Sequence, residues 1–235
     1  MSALSTNLLD PFSNCNIEKG KLVIYGSSTS RVRKVLWAAA EAGLEVERVD
    51  ILASQLKQHK WFADMNPKLT IPCMRDGDFI LNESNTIVSY ICQVYGKHLY
   101  PDSPEQLALA WQWLEYGEST VVPTVAPLWF GITKNMTYPA KTCPANQDQI
   151  NECVPKCAKA WQGVEDHLAK DKRNYILGDV FTMADITLGI QADRMKKNKW
   201  FGFKELNFER FPNVSRWLGN LESRSAFMKH GDLAR

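Results

Sequence analysis

Three groups of residues in this 235-residue chain have types and spacing suited to chemistry. The first is Ile71-Pro72. Proline holds its own φ and pushes Ile71 into an extended conformation, which presents the N–H and C=O of Ile71 for pairing with a peptide ligand as an added strand. The second is Glu83-Ser84, placed where a helix should begin. There the Ser84 hydroxyl and the first backbone N–H groups can hold a carboxylate, with the helix dipole behind them. Glu83 offers its charge to an ammonium. An α-amino acid end carries both charges on one carbon, so the adjacent pair suits it. The third is Gly26-Ser27-Ser28-Thr29-Ser30-Arg31, four successive hydroxyls ahead of a helix. One of them can donate to a bound thiolate, and the helix N-terminus with Arg31 or Arg33 would lower that thiol's pKa. Each group also has a plainer use as a loop proline, a helix start or a set of N-caps.

The elements that must position these residues are legible from periodicity. KLVIY at 21–25 reads as a buried strand. Residues 31–42 place Val32, Val35, Leu36 and Ala39 at helical spacing, with Gly43 as the C-terminal cap. A second strand is expected over 46–51 and a short helix over 54–65. Two strands parted by Asp76-Gly77-Asp78 and a further helix follow. The order β-α-β-α-β-β-α is that of a thioredoxin-like domain. The expected fold is therefore α/β plus all-α: residues 1–20 an N-terminal extension, 21–99 a thioredoxin-like domain, 100–104 a proline-bearing linker and 105–235 an all-helical domain. Helices are expected over 105–121, 147–170, 183–197 and 212–228. Thr182-Met183-Ala184-Asp185 is an S/T-x-x-D capping pattern preceded by apolar Phe181, and reads as a folding element. Pro155 predicts a kink, or a helix start, inside the run from 150 to 168.

Composition narrows the function classes. Hydrophobic content of 45% and charged content of 23% are ordinary for a soluble globular protein. A formal charge of +2 gives no argument for nucleic acid or an anionic membrane surface, and Lys196, Lys197 and Lys199 read as a solvated helix end. No apolar stretch approaches the roughly 20 residues of a membrane span. Residues 1–20 do not read as a secretory signal. Six cysteines without a CxxC pair or zinc-ligand spacing suit reduced thiols in a cytosol, so a cytoplasmic protein without a metal is expected. Cys73, directly after Pro72, is read as a small core residue, with a redox role as the alternative.

SSTSRVRKVLWAAAEAGL, NPKLTIP, DGDFILNESNTIVSYI and GDVFTMADITLG, in this order and spacing, make the chain resemble a cytosolic glutathione S-transferase over nearly everything after residue 20. AWQWLEYGESTVVPTVAPLWFG is similar to the start of the helical domain in bacterial-type members. The resemblance implies a cis Pro72 (a form found in only about 5–6% of X-Pro bonds) and a γ-glutamyl clamp at Glu83-Ser84. It also implies glutathione as co-substrate, a small hydrophobic electrophile as second substrate, and a homodimer. The tyrosine and cysteine classes do not match the first loop, which is similar to the serine classes, theta and zeta. Ser28 or Ser27 is then the expected activating residue, with Thr29 matching members that use a threonine. Leu69 departs from the small or polar residue usual before the proline turn, which leaves open what contacts the glycyl carboxylate; Lys57 and His59 are the candidate partners for that end. The acceptor pocket is expected between the first loop and the helical domain, with Trp37, Trp113, Tyr116, Trp129 and Phe130 as candidate lining. The activity implied is conjugation of glutathione to an electrophile. The alternatives are a glutathione-dependent isomerase, a disulfide or peroxide reductase, or a non-catalytic glutathione-binding protein.

Overall fold

The computed structural model describes residues 18–27, 30–128, 147–198 and 202–231. The chain divides into two compact units, Met1–Leu99 and Tyr100–Arg235.

The first unit carries a four-stranded mixed sheet in the order β2-β1-β3-β4, with β1 Leu22–Tyr25, β2 Val46–Val49, β3 Cys73–Asp76 and β4 Phe79–Asn82. β1 pairs parallel with β2 and antiparallel with β3, and β3 pairs antiparallel with β4. Because side chains alternate along a strand, β1 sends Val23 and Tyr25 to one face and Leu22 and Ile24 to the other. All four are buried. Val23 and Tyr25 pack with Leu56 and Phe62, from the segment that crosses that face. Helix α1 (Val32–Glu41) packs against α3 (Ser84–Val94). The C-terminus of α1 closes as expected on Gly43, at φ +74: its N–H reaches Ala40 O, and the Leu44 N–H reaches Ala39 O.

The short helix expected over 54–65 is two pieces, a 3-10 turn over Ala53–Gln58 and α2 over Lys60–Met65, broken at extended His59. The reason is geometric. Leu56 and Phe62 both join the cluster under the sheet, yet residues six apart in one straight helix point about 120° away from each other. Residues at the end of the extension are also held to the sheet, since the Gly20 N–H donates to Asp76 Oδ1 at 2.7 Å. Asp76 Oδ2 takes the hydroxyls of Tyr90 and Tyr95 at 2.6 and 2.5 Å. Partial burial works to raise the Asp76 carboxyl, but these donors together hold it below the usual range.

The second unit is helical over its described residues. α4 spans Pro104–Tyr116, with Pro104 at its first position and the Ser103 hydroxyl accepting from the Gln106 N–H at 3.1 Å, so the linker prolines are partly a helix start. A π-turn over Gly117–Val121 leads into α5 (Val122–Leu128), which replaces the single helix expected to 121. α6 runs from Gln147 to Ala169 without interruption at Pro155. α7 (Met183–Lys197) has buried residues on every side, which marks it as the central helix of this unit. α8 covers Pro212–Glu222, and a separate π-turn follows over Phe227–Gly231, where one helix to 228 was expected. Trp37, Trp161 and Trp217 are among the largest fully buried side chains.

Buried carboxylates tie this unit together. Glu165 on α6 accepts from the backbone N–H of Asn213 and Val214 at 3.1 and 2.9 Å, so it caps the start of α8 from outside. In return Arg216 of α8 donates to the carbonyls of Lys172 and Arg173 after α6. Asp185 does more than the capping box required. It takes the Thr182 N–H at 2.9 Å, the Ile176 N–H at 2.8 Å and the Trp217 indole N–H at 2.8 Å, joining a turn and two helices. The Thr182 hydroxyl accepts from Ala184 at 3.4 Å. Phe181 meets Tyr175 edge to face and lies under the Arg224 guanidinium.

Full burial pushes the Asp185 carboxyl up to about 6, against the pull of its three N–H donors. Removing the acceptor in Asp185→Ala leaves those donors unpaired in the core and should cost about 3 kcal/mol, read as a lowered thermal midpoint. The carboxyl titrates higher in the folded than in the unfolded chain, so the folded state holds the extra proton between these two values. Its contribution is present below about pH 4 and is lost as the pH rises through about 6. The stability of the wild type relative to Asp185→Asn should therefore fall over that window and level off above it, measured by urea unfolding.

Candidate functional site

Two of the three sequence groups meet in the structure at Gly26. This glycine follows β1, donates its N–H to Val49 O at 3.0 Å and has φ +142. A Cβ placed on it would stand 2.5 Å from Val32 Cγ2 and 3.1 Å from Ile71 Cβ. The first loop, the start of α1 and the proline turn are thus in contact, and the contact exists because residue 26 has no side chain.

The proline turn is shaped from within. Asn66 is fully buried, its Nδ2 donates to Thr70 O at 2.8 Å, and its own carbonyl accepts from the Leu69 N–H at 2.9 Å. Leu69 takes a left-handed φ of +51. The Ile71–Pro72 bond is cis, as the family resemblance implied. Among the described residues nothing in the chain pairs with the N–H or C=O of Ile71, so that edge is open to a peptide. Asn66 was not singled out in the sequence, although Asn-Pro is a known turn signal.

Glu83 stands at the N-cap of α3 with φ +71, a conformation that costs a non-glycine residue of order 1 kcal/mol. Its side chain makes no cap, and the first turn of α3 holds no acidic residue. Ser84, the first helical residue, is buried, and its hydroxyl has no hydrogen-bond partner among the described residues. The start of α3 therefore keeps a hydroxyl and uncapped N–H groups for an anion. Beside it, the Glu83 carboxylate faces Lys68 Nζ at 3.4 Å, and Lys68 also donates to Asn82 Oδ1 at 3.1 Å. Both partners of this ion pair are more than half exposed, so a ligand ammonium can replace Lys68 at little cost.

In the hydroxyl loop, Ser30 is committed. Its Oγ donates to Ser27 O at 2.6 Å and accepts from the Val32 N–H at 3.2 Å. Ser27 is buried. Ser28 and Thr29 lie outside the described residues, as do Trp129 and Phe130. Lys57 is exposed at the end of the 3-10 turn, and His59 is buried with its ring 5.7 Å from Trp61.

The other aromatic candidates sit in helix packing. Trp37 is fully buried, with its indole N–H on Glu41 one turn along α1. Trp113 is nearly buried, its ring 4.3 Å from His167. The Tyr116 hydroxyl donates to Ala160 O at 2.7 Å, and a Cβ on Gly163 would meet it at 2.6 Å. Packing on α1, α4 and α6 accounts for these three side chains.

Comparison with known proteins agrees with this geometry. The chain matches the glutathione S-transferase N-terminal domain over residues 30–94 and the C-terminal domain over 147–220. It is 30% identical to the Escherichia coli (strain K12) protein named glutathione S-transferase GstB over 217 residues, 88% of this chain and 96% of the relative. The chain belongs to the glutathione S-transferase family. An Arabidopsis thaliana member, glutathione S-transferase F14, is 26% identical over 211 residues, 88% of this chain and 79% of the relative. A solved theta class glutathione S-transferase from Xanthomonas axonopodis pv. citri, with glutathione bound, superimposes with a TM-score of 0.75 at 26% identity, covering 89% of this chain and 96% of its own. The thioredoxin-like domain and helical domain of the family are the two folds seen here.

Among the described residues no group of His, Cys, Asp and Glu has the arrangement of a metal site. Cys73, Cys92, Cys153 and Cys157 are free thiols, while Cys15 and Cys143 lie outside the described residues. Cys73 pairs across the sheet with Tyr25 and Asn82, is fully buried, and burial pushes its thiol up to about 11. A thiol so protonated is a poor nucleophile. Alkylation of the native protein near neutral pH should leave Cys73 unmodified by peptide mass analysis, and denaturant should open it. Gly26→Ala, which combines a close contact with a left-handed φ, should destabilise the chain by about 1–3 kcal/mol in chemical unfolding.

Proposed function

We propose that this family member is a glutathione transferase that binds glutathione, stabilises its thiolate and conjugates it to a small hydrophobic electrophile. The observation that carries the reading is the start of α3, where the Ser84 hydroxyl, without a partner among the described residues, and an uncapped helix N-terminus lie next to the Glu83 carboxylate. This pair matches the γ-glutamyl end of glutathione charge for charge. The open N–H and C=O of Ile71, beside cis Pro72, match the cysteinyl backbone in the manner of strand addition. The contact of Gly26 with Val32 and Ile71 supports a reading in which the cysteinyl sulfur of a peptide paired to Ile71 lies near the start of α1.

The chemistry follows from this placement. A donor from Ser27, Ser28 or Thr29 and the N-terminus of α1 favour the thiolate over the thiol. The thiolate attacks the electrophilic carbon, a C–S bond forms, and the leaving group departs with the electron pair of the bond it breaks. The protein contributes position and electrostatic stabilisation. The commitment of Ser30 to Ser27 O favours its three neighbours as the donor. Lys57 remains the candidate for the glycyl carboxylate, and Trp129 and Phe130 remain candidates around the acceptor. A homodimer in the cytoplasm is the working assembly. Burial of Cys73 speaks against a thiol-disulfide mechanism at that residue.

Ultraviolet titration of the glutathione complex tests the reading. Thiolate absorbance should persist well below the free thiol's pKa of about 8.5, and an unshifted titration would sink the transferase proposal in favour of a binding protein. Single alanine substitutions at Ser27, Ser28 and Thr29 should identify one position at which kcat falls about 100-fold, the scale of losing one preorganised donor. Ser84→Ala should instead raise KM for glutathione.

A further inference from the structure

Lys34 is 1% exposed, which is unusual for a lysine, since burying an ammonium is costly. It lies in the first turn of α1, four residues after Ser30. Its Nζ donates to Oδ1 of Asn85, the second residue of α3, directly after Ser84. One buried cation therefore links the first turn of α1 to the first turn of α3. These are the two helix starts on which the proposed function places the thiolate and the γ-glutamyl carboxylate. A cation at a helix N-terminus is opposed by the dipole, so packing alone does not favour this placement. Two anions bound on either side would favour it, the more so in a medium of low dielectric.

We infer that Lys34 is a positioning residue for glutathione: through Asn85 it fixes the first turn of α3 relative to the hydroxyl loop, and its charge strengthens the hold on both anionic groups of the ligand. The inference rests on the glutathione reading and adds to it a residue with no contact to the reacting atoms. It accounts for a buried lysine that the clamp at Glu83-Ser84 does not use.

The test uses the full chain with reduced glutathione as probe. Lys34→Met keeps the length of the side chain and removes the charge. It should raise the Kd and KM for glutathione about 10-fold. It should also raise the pKa of the bound thiol by about one unit, the change in charge stabilisation that corresponds to a tenfold shift in equilibrium. Asn85→Asp keeps the lysine and neutralises its field with a carboxylate, and should move both quantities in the same direction. It also decides the matter if Lys34→Met does not fold. A merely structural lysine would leave the Kd and the bound thiol pKa of the folded variants within about twofold and about 0.3 units of wild type, and that result overturns the inference. If the wild type itself binds no glutathione, the fault lies in the functional reading, which the wild-type measurement reports separately.

Discussion

The candidate site depends on one close contact, that of Gly26 with Val32 and Ile71. Its hydrogen at the Cβ position lets the end of β1, the start of α1 and the proline turn converge to within a single van der Waals layer. Without that approach the hydroxyl loop and the Ile71 edge would be separate surface features, each with an ordinary structural use. With it, Gly26, Val32 and Ile71 form one contact. The positive φ of Gly26 is part of the same constraint, because it turns the chain out of the strand and into the helix in the space available.

The first unit places two unusual conformations beside the proline turn and the start of α3. Leu69 and Glu83 both adopt left-handed φ, one before the proline turn and one before α3. Neither is relieved by a side-chain cap at α3. Local strain and open hydrogen-bonding groups thus cluster around Ile71 and Ser84, as expected for a site held ready by the surrounding packing. Elsewhere in the same unit a buried carboxylate is well satisfied. Asp76, for example, collects the Gly20 N–H and two tyrosine hydroxyls at the opposite end of β3 from Cys73.

The second unit solves a different problem, that of holding helices together around the buried α7. It does so with carboxylates that leave the surface. Glu165 caps α8, Arg216 answers by binding carbonyls after α6, and Asp185 joins Thr182, Ile176 and Trp217. Unlike the Ser84 hydroxyl, which has no partner among the described residues, these groups have theirs inside the chain. The same residue type serves both ends. Glu83 is exposed and exchangeable, whereas Glu165 is buried and committed.

Local patterning was enough to read the order of strands and helices, the Gly43 cap, the Thr182-Asp185 box, the turn at Ile71-Pro72 and the helix start at Glu83-Ser84. Each depends on period, turn chemistry or capping within a few residues of chain. The break at His59, the unbroken helix through Pro155 and the π-turn at Gly117–Val121 were not legible, because packing against distant elements overrides local propensity there. The contacts of Asn66 with Thr70, Lys68 with Glu83 and Lys34 with Asn85 were also hidden, since the folded chain brings each pair together. The sequence by itself determined which groups could hold a charged peptide end, through residue type and helix position. Only the tertiary structure decided that the first loop and the proline turn meet, because the distance from Gly26 to Ile71 is closed by strand pairing and helix packing and is written in no local stretch of chain.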